Sequence, residues 1–378
     1  PPKTPQPDPA PPSTDTPVAL LKSDADGVEL LPGTAPEVTD RIALDTITIY
    51  ANQAELPVSR TGASVEIIEE DALQTAPSAS LTDIIADSPG VTFTQTGGPA
   101  GLSYGNVTYT RVRGLDQKYA PVLFSGIDIS DPSATQTNFD WKNLMLGGLS
   151  RAEVVKGSQS ALYGSEAVAG VFALTGADAP EAPGREGSIT LEAGAFRTGR
   201  ASLSYGVATE RAGIAVAASR ARTDGFSAFS SDDEDDAFAG GQYSFDTYYD
   251  VTSDLRVGLT GFSFDSEFDY DEDGNPDVTG DTLQRGLRAY VEAQTGAIAH
   301  SFDVSRFAID RETGGDFGAA YEGERDEVSY VATWETSPAS MAASGPTPPP
   351  LFSAIAPPPT GPMMNTPTRL PTVCWHWI

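Results

Sequence analysis

Between residues 185 and 336 apolar side chains return at every second position, in about eight segments separated by turns. Leu203, Tyr205 and Val207 alternate with Ser202, Ser204 and Gly206, and Leu287, Ala289, Val291 and Ala293 with Arg288, Tyr290, Glu292 and Gln294. A period of two with one apolar face specifies antiparallel strands. The connections are uneven. "GVATERAG" and "DVTSDLR" read as tight turns, "TDGFSAFSSDDEDDAFAGG" and "DSEFDYDEDGNPDVTGD" as long acidic loops. A soluble β-sandwich also alternates. The short–long rhythm, with Phe262, Phe264, Phe268 and Tyr270 clustered near strand ends, favours a membrane-spanning barrel. No run of about eighteen apolar residues is present, which excludes a transmembrane helix but not strands of about ten residues.

Charge narrows the function classes. The 378 residues carry a formal net charge of -30, which argues against nucleic-acid binding, since that needs a basic footprint. Cys374 is the single cysteine, so no internal disulfide forms. His300 and His376 leave little material for a zinc site or a histidine-based catalyst. "GLSYG" at 101–105 fits a nucleophile-elbow spacing around Ser103, but His300, its one plausible partner, lies in a barrel-type strand, and the chain is read as a non-enzyme. The opening "PPKTPQ" lacks Met and is read as a processed start or a fragment.

Five segments are expected. Residues 1–44, rich in Pro, Asp, Thr and Ala, read as a disordered tether. "DTITIYA" at 45–51 is a short alternating strand. Residues 52–180 have mixed α/β texture: "ASVEIIE", "VTFTQT", "VTYTRVRG", "APVLFSGIDI", "SRAEVVKG" and "VFALTG" as strands, "SLTDIIADSPG" as a short helix, and "SQSALYGSEAVAG" as a compact turn. "ADAPEAPGREG" marks a boundary, and the strands of 185–336 follow. In 337–378 the alternation vanishes, and both an out-of-frame end and a disordered tail fit.

This order resembles the TonB-dependent outer-membrane receptors. "LTDIIADSPGV" resembles the family's helix-then-"PGV" element, and Arg113-Gly114 in "TRVRG" its arginine–glycine strand. "RAEVVKGSQSALYGSEAVAGV" resembles its most characteristic plug stretch, with Gly157, Tyr163, Gly164 and Gly170 in order. The "VLFSGIDI" segment departs from the family by placing Ser125 where an Asp usually precedes Gly126. Asp45, Thr46, Ile47, Thr48, Ile49, Tyr50 and Ala51 resemble the TonB box. The resemblance implies an α+β plug domain followed by an antiparallel transmembrane β-barrel segment, in the outer membrane of a Gram-negative bacterium. It also implies TonB, with its inner-membrane energising complex, as partner. Among subtypes the chain is most similar to cobalamin receptors. An iron-siderophore or haem receptor is the alternative within the family, and a secreted calcium-binding β-rich interaction protein the alternative outside it.

Two sites are expected. The apex loop from Gln95 to Asn106, with Gly98, Leu102, Ser103 and Tyr104, is placed against the substrate, because its glycines let backbone approach a bulky ligand. The acidic segments are placed around calcium. Asp269, Asp271 and Asp273 follow the first half of an EF-hand loop, although its twelfth position is Gly280 instead of Glu. Asp232, Asp233, Asp235 and Asp236 add carboxylates in the other segment, and the resemblance adds Asp265 and Asp281. No catalytic cofactor is expected. Barrels of this class carry about twenty-two strands. With about eight, the chain as given is expected to have an incomplete barrel and to be unable to transport alone, because open edges leave unpaired backbone groups in lipid.

Overall fold

The computed structural model describes residues 47–48, 56–58, 61–75, 81–96, 107–135, 138–141, 144–225, 236–272, 275–315, 318–334, 352–354 and 375–377. In chain order the elements begin with β1 (Ile47–Thr48), β2 (Leu56–Pro57), β3 (Ser64–Glu69), α1 (Glu70–Thr75), α2 (Leu81–Ala86), β4 (Val91–Thr96), β5 (Val107–Val112) and β6 (Leu115–Asp116). Then come β7 (Val122–Phe124), β8 (Ile127–Asp128), β9 (Arg151–Lys156), α3 (Ser160–Tyr163) and β10 (Gly170–Thr175). The long strands are β11 (Gly184–Ala193), β12 (Gly199–Ala208), β13 (Ala212–Thr223), β14 (Phe238–Thr252), β15 (Leu255–Glu272), β16 (Asn275–Thr295), β17 (Ile298–Thr313) and β18 (Ala319–Trp334). Two three-residue strands, β19 (Phe352–Ala354) and β20 (Trp375–Trp377), end the series.

The first half builds a small mixed domain. Its main sheet runs β3-β9-β10-β7-β8, with β10 and β7 parallel and the other neighbours antiparallel. A second sheet runs β4-β5-β6. Strands β9 and β10 are buried on both faces, which is why "VV" and "VFAL" read as continuous apolar runs. Helix α2 buries Leu81, Thr82 and Ile85. Helix α1 escapes a pattern reading: six residues are too short for a periodicity, and Glu70 and Asp71 in its first turn favour it through the helix dipole. The expected compact turn at 158–170 contains the one-turn helix α3.

The second half is an antiparallel meander, β11 through β20, each strand bonded to its sequence neighbours, with β11 and β20 at the edges among the described residues. One face carries Leu203, Ile214, Val216, Leu259, Leu287 and Val304, all more than a third exposed. An exposed apolar sheet face of this extent is a surface for lipid rather than for water. Toward one end the same face changes to ion pairs: Arg220–Asp265, Arg285–Asp310 and Arg306–Glu324. The opposite face carries small, polar and aromatic side chains, and the small domain lies against it.

The turns correct one expectation. Short connections recur at one end, at 209–211, 253–254 and 296–297, while 224–237 is long at the other. The acidic segment 265–281, however, is not a loop. Strand β15 continues to Glu272 and β16 starts at Asn275, with pairing kept from Asp265↔Leu283 to Tyr270↔Val278. Phe264, Phe268 and Val278 bury one face of this extension, which outweighs the poor strand propensity of its aspartates.

Candidate functional site

The short strand at the N-terminal side pairs with β2. Ile47 pairs with Pro57 and Thr48 with Leu56, and no further pairs extend the ladder among the described residues. Asp45, Thr46, Ile49, Tyr50 and Ala51 lie outside the described residues.

The residues of the characteristic stretch are backbone devices. Arg113 (φ 51°) and Gly114 (φ 80°) make the tight reversal between β5 and β6. Gly170 lets β10 approach β9 so closely that a Cβ there would collide with the Val155 carbonyl oxygen. Gly157 and Gly164 also have positive φ. Tyr163 packs on Leu123, Ala167, Val171 and Ala173. A polar group that sequence reading passed over ties the edge strand β3 into the domain. The nearly buried Lys156 ammonium donates to Glu66 Oε2 at 3.2 Å and to Ser88 Oγ at 2.9 Å, and Ser88 Oγ donates to Glu66. Burial of a lysine is tolerated because both partners satisfy it.

Three kinds of contact seat the domain on the sheet. The first is aromatic. Phe124, fully buried, meets Phe262 at 4.9 Å and Phe264 at 4.8 Å between ring centroids, and Phe307 and Ile309 complete the cluster. Each buried Phe contributes about 1.5–3 kcal/mol of burial, and edge-on ring pairs add about 0.5–1.5 kcal/mol.

The second is a strap, Gly176–Glu181, where the chain passes from the domain to β11. Ala177 N–H donates to Ser244 Oγ (2.8 Å), Ala179 N–H to Asp246 Oδ2 (3.4 Å), and Tyr248 O–H to the Pro180 carbonyl (2.8 Å). Arg256 Nη1 donates to Glu181 Oε1 at 2.9 Å and its guanidinium stacks over Tyr248. Asp178 alternates away from the wall, and its carboxyl is pushed up to about 6, first by desolvation and then by the charges of Asp246 and Glu181.

The third contact is ionic. Arg325 on β18 donates to the carbonyls of Asp128 and Ser130, both at 3.0 Å, and pairs with Asp128 Oδ2 at 2.7 Å. Arg311 pairs with Asp131 at 3.3 Å. Arg288, paired with Asp303 at 3.1 Å, lies flush against Gly126. Phe262 and Phe264, expected as strand-end aromatics of a barrel, are instead buried against the plug, and the other seating residues were not expected from sequence. The one available signal was arginine at 288, 311 and 325, on the strand faces otherwise given to small and polar residues.

The expected calcium residues are described only in part. Asp232, Asp233, Asp235 and Asp273 lie outside the described residues, and Asp271 is described by its backbone alone. Asp236 follows the undescribed stretch. Asp265, Asp269 and Asp281 stand on β15 and β16 and share one sheet face, with Asp281 directly opposite Glu267. Asp265 accepts from Arg220 Nη1 at 2.9 Å. Among the described residues no group of three or more His, Cys, Asp or Glu side chains is placed to hold a metal ion. Of the expected substrate loop, Gln95 is the penultimate residue of β4, paired with Thr108, while Gly98, Leu102, Ser103, Tyr104 and Asn106 lie outside the described residues. His300 Nδ1 is 2.8 Å from Tyr330 Oη.

Comparison with known proteins follows the same architecture. Residues 57–171 match the TonB-dependent Receptor Plug Domain. The chain is 25% identical over 302 residues to the vitamin B12 transporter BtuB of Photobacterium profundum, covering 78% of this chain and 48% of that protein. It is 26% identical over 260 residues to BtuB of Vibrio vulnificus, covering 65% and 40%. The chain thus spans about half, or less, of the length of these relatives. Among solved structures, the siderophore receptor PirA from Acinetobacter baumannii aligns with a TM-score of 0.60 at 13% identity, over 72% of this chain and 45% of PirA. The copper transporter OprC aligns at 0.58 and 14%, over 73% and 44%. At those identities the likeness is one of fold. A plug domain seated on one face of an antiparallel sheet whose other face suits lipid, matched in sequence from plug into sheet, supports a TonB-dependent receptor, with a plug and a partial barrel similar to those of BtuB.

Proposed function

We propose that the chain is the plug and adjoining wall of a receptor that takes up cobalamin across the outer membrane of a Gram-negative bacterium, driven through TonB. The observation that carries this is the run of similarity to vitamin B12 transporters, 302 residues long, which crosses from plug into wall. The outer membrane holds no nucleotide or ion gradient of its own, so uptake against a gradient needs energy delivered mechanically from the inner membrane. A short strand, paired through Ile47 and Thr48 among the described residues, suits that delivery. It can exchange its pairing with Leu56–Pro57 for strand addition to a partner, with residues 1–44 as its tether. Tension on Asp45–Ala51 then reaches β3, the edge strand of the plug sheet.

The apex loop, Gln95 to Asn106, is assigned to the ligand. Calcium is assigned to the acidic hairpin and the segment before β14. What supports it is Asp281 facing Glu267 across β15–β16, a like-charge pair that a divalent cation would offset. No catalytic group is assigned, in keeping with a family of transporters and receptors.

The test uses this chain in detergent micelles with the periplasmic domain of TonB. Saturable binding, stronger in the presence of cobalamin and lost in Ile47→Pro, is expected. Binding that survives Ile47→Pro would remove the assigned role of the 45–51 strand. Equal binding with and without cobalamin would remove the ligand.

A further inference from the structure

The plug meets the described wall through surfaces of opposite chemistry. Along β15 and β17 the contact is dry, with Phe124 against Phe262 and Phe264. Apart from Phe307 and Ile309 on β17, the contact across β16–β18 is ionic. There the plug offers Gly126, Asp128, the Ser130 carbonyl and Asp131, and the wall offers Arg288, Arg311 and Arg325. Separating the two surfaces has unequal consequences. Parting phenylalanines returns apolar area to water with nothing in exchange. Parting an arginine from a carboxylate returns both to water, which solvates them nearly as well as they solvated one another. The ionic seam therefore opens more readily, although its hydrogen bonds are short and well aligned.

The plug side of the seam is also built to move as a unit. Asp131 caps its own loop, accepting from Ser133 N–H at 2.7 Å, and Ser130 N–H donates to Asp128 Oδ1 at 2.8 Å. Once the loop from Gly126 to Ser133 leaves the wall, these local bonds lie open to water and protect its amides only weakly. One side chain makes most of the connection. Arg325, 13% exposed, holds two carbonyls and one carboxylate of this loop.

We propose that the plug parts from the sheet along the seam between Gly126–Ser133 and β16–β18, and that Arg325 is the positioning residue that keeps the seam shut. A gap there is lined by Arg288, Asp303, Arg325 and Glu327, and admits a polar, hydrogen-bonding solute. The proposal deepens the uptake reading by naming where the plug leaves the wall. Its test uses neither TonB nor ligand, so it fails or stands apart from that reading.

Amide hydrogen exchange of the full chain in detergent micelles provides the test. In Arg325→Gln, exchange across Ile129–Ser133 rises at least about tenfold, as expected for a local opening, while Val122–Phe124 and Phe172–Leu174 change less than about twofold. Arg325→Lys, which keeps the charge but not the fork, recovers part of the protection. Arg306→Gln, which removes an equal charge from the outward face, leaves both regions alone. Should Arg325→Gln not fold, the unmodified chain at low urea answers the same question, because Ile129–Ser133 then loses protection before Val122–Phe124. Unchanged protection at Ile129–Ser133, or an equal loss in both regions, overturns the proposal.

Discussion

Replacing Phe124 with alanine tests whether the aromatic contact holds plug to wall. The ring is fully buried and touches two wall phenylalanines, with Phe262 and Phe264 themselves stacked at 4.6 Å. Burying a Phe ring removes roughly 200 Å² from water, which at about 25 cal/mol per Å² is an upper bound near 5 kcal/mol. Core Phe→Ala changes cost about 3–5 kcal/mol, so a loss of about 4 kcal/mol is expected here. Trp141 provides the readout. It is buried in the plug core against Phe93, Phe139 and Phe172, so its emission shifts to the red when the plug opens. In urea titrations of the chain in detergent, the Trp141 transition should move to markedly lower denaturant in Phe124→Ala and much less in Phe124→Leu. Phe302→Ala, on the lipid-facing side, should leave it in place. A Trp141 midpoint for Phe124→Ala within about 1 kcal/mol of the parent would refute the argument, because the plug would then not depend on its contact with β15.

Three further outcomes are expected. Because the folded chain holds a proton on Asp178 more tightly than the unfolded chain does, stability from this group is fully present below the ordinary aspartate value and is lost as pH rises through about 6. Asp178→Asn should therefore stabilise the chain above pH 6 and match the parent in acid; the residue keeps an exposed edge and loses only part of its hydration, so a gain of about 1 kcal/mol or less is expected in thermal denaturation. Gly170→Ala places a methyl group on the Val155 carbonyl and should cost about 1–3 kcal/mol, read by the same Trp141 titration; an unshifted midpoint would mean the β9–β10 approach is looser than described. Calcium should raise the melting temperature if the acidic hairpin binds it, and Asp281→Asn should remove that increment; an increment that persists would place the ion elsewhere.

The strands were legible because each has a repeating signal. Alternation marked β11–β18, and short apolar runs between glycines marked β3, β4, β5, β7, β9 and β10. The helix at Leu81–Ala86 showed through its stop at Ser88-Pro89-Gly90. The continuation of β15 and β16 through the aspartates was hidden because local propensity opposed it, and only burial of Phe268 and Val278 decided it. The seating residues were hidden for a different reason. Arg325 meets Asp128 across nearly two hundred positions of chain, and no local pattern encodes a contact of that range.

The sequence by itself determined the two textures and the boundary between them, because side-chain periodicity follows directly from backbone geometry. It also determined the backbone devices, since a glycine such as Gly170 marks a place where no side chain fits. Only the tertiary structure decided which face of each strand meets the plug, how far the acidic hairpin extends, and which arginines hold the plug in place. Those outcomes depend on what lies opposite, and a residue's neighbours across a sheet are set by packing the whole chain rather than by the residues beside it.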